Sequence, residues 1–70
     1  MKDLSKEFGI NVRFYRKKLG LSQEELAFKC NIDRTTVVSI ENGYSNTTLL
    51  TIANLAKALN IHPSKLFETD

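Results

Sequence analysis

Between Leu21 and Gly43 the chain spells two short helices separated by three residues. Ser22-Gln23-Glu24-Glu25 is a capping box: the Ser22 hydroxyl suits the backbone N–H of Glu25, and the Glu25 carboxylate suits that of Ser22. A helix therefore starts at Gln23 and runs to Cys30, with Leu26, Ala27 and Cys30 on one face. Asn31-Ile32-Asp33 breaks the pattern. Asp33 is expected to cap a second helix, Arg34 to Asn42, whose inward residues are Val37, Ile40 and Glu41. Asn42-Gly43 has the turn chemistry that ends a helix. So short a turn fixes how the two helices cross.

Other helices surround this unit. Leu4, Phe8, Val12, Tyr15 and Leu19 form one apolar stripe at helical period, predicting a first helix from Asp3 to Leu19 ended by Gly20. Thr48 suits the cap of a helix over Leu49–Leu59, with Leu49, Ile52, Ala53, Ala56 and Leu59 inward and Asn60 at its end. His62 looks like the cap of a fifth, short helix starting at Pro63 and reaching Phe67, with Leu66 and Phe67 packing. No segment alternates as a strand does. The expected fold is all-α: one domain over residues 1–70, a compact five-helix bundle. Seventy residues bury only a modest core, so self-association would add stability.

Composition excludes more than it proposes. One cysteine and one histidine, Cys30 and His62, make neither a disulfide nor a zinc set, so no metal and no cofactor are expected. Cys30 reads as a small buried hydrophobe, a redox switch being the alternative. No apolar run approaches a membrane span and Met1-Lys2-Asp3-Leu4 has no signal character, so a cytoplasmic location is expected. There is no glycine-rich phosphate loop, and Glu24 and Glu25 point about 100° apart on a helix, which argues against an enzyme.

The net charge is only +2, but it is unevenly placed. Arg13, Arg16, Lys17 and Lys18 crowd residues 12–18 without an acid, whereas residues 35–56 hold no Lys or Arg. That suits one face meeting a polyanion. With Val37 and Ile40 inward, the second helix of the central pair turns Arg34, Thr35, Thr36, Val38 and Ser39 outward. These types can read base edges: Arg bidentate to guanine, hydroxyls to several edges, methyls against thymine. A helix-turn-helix would set this face in the major groove of double-stranded DNA. The plainer reading is a solvated helix face. Arg13 and Lys17 are candidates for phosphate, or simply solvated.

Leu21-Ser22-Gln23-Glu24-Glu25-Leu26-Ala27, the break, and Ile40-Glu41-Asn42-Gly43 together resemble the Cro/CI-type (XRE) helix-turn-helix family, with its lambda repressor-like DNA-binding domain. The likeness extends from Val12 to Phe67 and includes Leu55-Ala56-Lys57-Ala58-Leu59. Leu26-Ala27-Phe28-Lys29 and Asp33-Arg34-Thr35 are most similar to the controller proteins of restriction–modification systems. The resemblance implies a transcription regulator that binds a near-palindromic operator as a homodimer, with contact to RNA polymerase where it activates. It implies phosphate or base-edge contact for Gln23, phosphate contacts for Ser22 and Asn42, and base reading by Arg34, Thr35 and Ser39. In the loop after the second helix of the pair, Tyr44 and Asn46 are phosphate candidates, Tyr44 alternatively packing on backbone; the basic residue many relatives carry there is absent. Arg16 reads either as a phosphate contact or as the partner of Glu41, and the resemblance supports the ion pair. Leu50 should point outward and, with Ala53, Ile61 and Phe67, is the candidate two-fold interface; Phe28, also outward, is a candidate second contact between copies. The alternative function is an antitoxin-like protein-interaction module in which DNA binding is secondary.

Overall fold

The computed structural model describes residues 3–44 and 46–68. It contains four α-helices, α1 (Leu4–Lys18), α2 (Gln23–Cys30), α3 (Arg34–Glu41) and α4 (Leu49–Leu59), followed by one 3₁₀ turn, Pro63–Phe67. The fifth helix is thus not an α-helix. Pro63 begins it without an N–H, and its five residues are too few for two α-turns. Among the described residues there is no strand.

Helix ends follow local chemistry. Asp3 caps α1 rather than joining it, its carboxylate accepting from the backbone N–H of Ser5 (3.0 Å) and Lys6 (3.3 Å). The capping box of α2 is complete: Glu25 N–H donates to Ser22 Oγ at 3.0 Å, and Ser22 N–H to Glu25 Oε1 at 2.8 Å. The Ser22 backbone N–H, and after it the Ser22 hydroxyl, hold the Glu25 carboxyl below its ordinary pKa. Thr48 caps α4, and the Nδ1 of His62 accepts from the Ser64 N–H at 3.1 Å. Asp33 departs from expectation. It has the extended backbone of a cap but makes no side-chain cap bond. Its own carbonyl already takes the Thr36 N–H at 3.0 Å, the amide that its carboxylate would have satisfied. Helix α3 also stops one residue early, at Glu41, with Asn42 as its cap.

All four helices close in the same way. The residue after the last turn, Gly20, Asn31, Gly43 or Asn60, takes a positive φ. The amide following it reaches back five residues, as Leu21 to Arg16, Ile32 to Ala27, Tyr44 to Ser39 and Ile61 to Ala56. This is the Schellman ending, and it explains the Gly and Asn at those positions.

The core is built from Phe8 and Val12 of α1, Leu26, Ala27 and Cys30 of α2, Val37 and Ile40 of α3, Leu55, Ala56 and Leu59 of α4, and Leu66. Several stripe residues lie outside it. Leu4 and Leu19, at the two ends of α1, are 60% and 50% exposed. On α4 the buried stripe is Leu55, Ala56 and Leu59, with Ile52 half-buried at its start. Ala53, about 100° round the helix from Ile52, is exposed, and Leu49 at the first turn is 84% exposed. Phe67 is 37% exposed, with one side of its ring against Phe8 at a centroid distance of 5.2 Å.

Two side chains and one missing side chain lock the elements together. Gly9 is buried where α1 crosses α3, and a Cβ there would run into the Ile40 carbonyl oxygen. Asn11 donates to the carbonyls of Leu66 (2.9 Å) and Glu68 (2.7 Å), fastening the 3₁₀ turn to α1. Cys30 is buried, its Sγ 3.7 Å from the Asn54 carbonyl, and burial pushes its thiol pKa up. A protonated, enclosed thiol fits the packing reading and not the redox one.

Candidate nucleic-acid interface

Helix α3 turns Val37, Ile40 and Glu41 inward. Opposite them, Arg34, Thr35, Val38, Ser39 and Asn42 follow one another at helical spacing and form a single ridge. Arg34, Thr35 and Asn42 are exposed, and Val38 and Ser39 are half-buried. Thr36, also expected to read bases, is half-buried and lies at the ridge's edge, about 100° beyond Thr35. The ridge offers one cation, two hydroxyls, an amide and a methyl-bearing surface.

An ionised carboxylate near this ridge would repel phosphate, and the structure removes that obstacle. Glu41 is held by Arg16, with Nε to Oε2 at 2.6 Å and Nη2 to Oε1 at 3.0 Å. The third guanidinium bond, from Nη1, goes to the Leu21 carbonyl at 2.8 Å. The side chains are only 10% and 3% exposed, so Arg16 is a structural ion-pair partner with its donors turned inward and away from phosphate.

The amide of Gln23 donates to the same Glu41 Oε1 at 3.2 Å. Gln23, expected at a phosphate or base edge, therefore has one N–H committed to α3, and retains its carbonyl oxygen and a second N–H. This contact places the start of α2 beside the end of α3. Ser22 and Asn42 are exposed there, as are Tyr44 and Asn46 in the loop that follows; Tyr44 is 82% exposed, which rules out packing on backbone. Arg13 and Lys17 are exposed on α1.

Sequence reasoning missed Lys6. Its aliphatic stem lies over Gly43, close enough that a Cβ on that glycine would approach Lys6 Cγ to 2.8 Å. The loop after α3 lacks a basic residue of its own, and α1 supplies one from outside. Only the folded packing of α1 on α3 shows this.

A helix-turn-helix family model matches residues 12–66, which contain α2, the turn, α3 and the helices that brace them. The chain belongs to the helix-turn-helix family. Control protein C.BamHI of Bacillus amyloliquefaciens is 42% identical over 62 residues, covering 87% of this chain and 76% of its own. Control protein C.MunI of a Mycoplasma species is 40% identical over 68 residues, covering 96% of this chain and 92% of its own. In structure, the restriction-modification controller protein C.AhdI from Aeromonas hydrophila superposes with a TM-score of 0.87 at 44% identity, over 90% of this chain and 96% of that one. The Cro/CI (XRE) type expected from the motif residues, and its controller-protein branch, are thus the type this helix-turn-helix chain resembles throughout.

The four residues expected at a two-fold interface do not form one spot. Leu50 (72% exposed) and Ala53 lie on the outer side of α4, with Leu49 beside them. Phe67 borders a hollow with Leu4, Phe8 and Ile52, toward the same end. Ile61 is half-buried against Tyr15, Leu19 and Leu59, past the other end of α4. Among the described residues no group of three potential metal ligands occurs, and no helix is long and apolar enough to cross a membrane.

Proposed function

We infer that this helix-turn-helix regulator binds double-stranded DNA sequence-specifically, with α3 in the major groove. Arg34, Thr35, Val38 and Ser39 read base edges, and Thr36 flanks them. Ser22, Gln23, Asn42, Tyr44 and Asn46 meet the phosphates on either side, with Lys6, Arg13 and Lys17 adding positive charge. One observation carries the reading: the outward ridge of α3 holds no acid, because its one carboxylate, Glu41, is turned inward onto Arg16. Backbone amides at the start of α2 suit a phosphate beside it.

The operating unit is a homodimer on a near-palindromic operator, its two α3 helices about one DNA turn, ~34 Å, apart. The exposed apolar group Leu49, Leu50 and Ala53 supports pairing at that end of α4, with Phe67 continuing it. The controller-protein relatives support a role in timing a restriction enzyme's expression, with contact to RNA polymerase where the operator adjoins a promoter. Selection of bound sequences from random duplexes at two salt concentrations tests this. A pseudo-palindrome with half-sites one turn apart is expected. No enrichment, with binding that vanishes at moderate salt, would leave only nonspecific electrostatics and overturn it.

A further inference from the structure

The ridge of α3 has a cation at its start and none of its own at its end. Arg34 opens the helix, and residues 35–56 hold no Lys or Arg. The fold brings a second cation to that far end. Lys6, in the first turn of α1, lies so close to Gly43 that a Cβ on the glycine would come within 3.1 Å of the Lys6 Cα and 2.8 Å of its Cγ. Gly43, at φ +79°, thus does two things: it closes α3, and it leaves a floor without a side chain on which the lysine stem is seated. The plainer reading is a lysine paired with a neighbouring acid, or simply solvated. Among the described residues, however, the ion pairs are Arg16 with Glu41 and Lys65 with Glu68. Asp3, one turn before Lys6, gives its Oδ1 to the backbone N–H groups of Ser5 and Lys6. Lys6 is left exposed, its stem placed and its charge uncommitted. At 1.5 Å per residue, Gly43 lies about 13 Å along α3 from Arg34, close to the width of the major groove, about 12 Å. A helix that reads base edges with its first residues therefore brings its far end to the strand bordering the groove.

We propose, resting on the docking inferred above, that Lys6 of each copy contacts a backbone phosphate at the end of α3, where the loop has no cation of its own. Arg34 reads a base at one end of the ridge, and Lys6 holds the other end to the strand beside the groove. This is a located contact, unlike the general positive charge of Arg13 and Lys17 farther along α1. With its stem already seated on Gly43, the lysine has less freedom to lose on binding. The contact carries no sequence information; it sets the register in which the ridge meets the bases.

Fluorescence anisotropy titrations of the full chain over a range of salt concentrations test the proposal, with a random-sequence duplex and the operator duplex enriched by selection as probes. Lys6→Gln, with unchanged circular dichroism, should weaken binding to both duplexes by the same factor. The slope of log affinity against log salt should become shallower by about 0.9 for each bound copy. Between 50 and 200 mM salt the gap between wild type and variant should therefore narrow by about threefold per copy. Lys6→Arg should retain the wild-type slope. Lys18→Gln makes the same change in net charge at the other end of α1 and should leave the slope alone. A wild-type slope in Lys6→Gln, while wild type binds both duplexes, would overturn the Lys6 contact and leave the DNA reading standing. An equal drop in Lys18→Gln would overturn it too, reducing the effect to net charge, as would a loss confined to the operator, which would mean a base contact. Wild-type protein that binds neither duplex would overturn the DNA reading itself, and the Lys6 contact with it.

Discussion

Arg16→Ala is the most informative single change. That guanidinium donates three hydrogen bonds: two to the Glu41 carboxylate and one to the Leu21 carbonyl. After truncation, the Glu41 carboxylate, 3% exposed, keeps one neutral donor, Gln23 at 3.2 Å. Leaving a buried charge without its partner costs about 3–5 kcal/mol. A domain of this size has only about 4–10 kcal/mol of stability in total. At about 4–8 °C per kcal/mol for a small domain, the melting temperature should fall by at least about 12 °C. Thermal melts by circular dichroism measure this, and DNA titrations at a temperature where both proteins are folded separate stability from binding. Little direct loss of affinity is expected, because Arg16 is buried with its donors turned inward. The double variant Arg16→Met with Glu41→Leu removes the charge pair while retaining much of its bulk, and should melt well above Arg16→Ala. A melting temperature within about 2 °C of wild type for Arg16→Ala, together with lost DNA affinity, would refute the structural reading and restore the phosphate one.

Gly9→Ala should cost about 1–3 kcal/mol by forcing α1 and α3 apart, although alanine is the better helix former; an unchanged denaturation midpoint would contradict the close crossing. Arg34→Ala should weaken the specific operator by about 1–3 kcal/mol and relax preference at one base pair, read by competition with single-base operator variants. Glu25 makes stability pH-dependent with a definite sign: its folded pKa is depressed by the cap bonds. That contribution is therefore complete above the ordinary glutamate value, about 4.3, and is lost as pH falls through the lower folded value. Melts from neutral to acid pH should show the loss in wild type and a flatter curve in Glu25→Gln, which keeps the capping acceptor without the titrating charge. Cys30 should resist thiol alkylation at neutral pH until the domain opens, so labelling should accelerate only with denaturant; rapid labelling of the folded protein would mean the thiol is not enclosed.

What the sequence made legible is set by how far each side chain reaches. The Ser22–Glu25 box, the Thr48 and His62 caps, and the Gly and Asn that end the helices have their partners within five residues, so each was readable on the linear chain. Asp33 shows the limit even there: residue type permitted the cap, but its own carbonyl had already taken the amide. Features that depend on α1 meeting α3 had no local signal. Gly9 reads on the chain as a weak point in a helix, until Ile40's carbonyl is seen pressed against it. Asn11 reads as a solvated amide, until the carbonyls of Leu66 and Glu68 arrive. Lys6 reads as one more surface lysine, until Gly43 passes beneath it.

The same distinction explains why the ridge of α3 was legible while its bracing was only partly so. A reading face needs only the helical period and small polar residues, both visible in Arg34, Thr35, Val38 and Ser39. Holding that face steady needs contacts across the turn, and Glu41 gathers them. Its two oxygens accept from Arg16 of α1 and from Gln23 of α2 while its backbone ends α3. One buried carboxylate thereby ties the start of α2, the end of α3 and the basic helix into a single body. On the proposed docking, ridge and amides would meet DNA with their spacing already fixed, so less ordering would have to occur on binding. A hydrophobic residue at position 41 could fill the same space, but it could not fix the orientation of both the guanidinium and the amide. This is a physical reason for keeping an acid beside the surface proposed to meet phosphate.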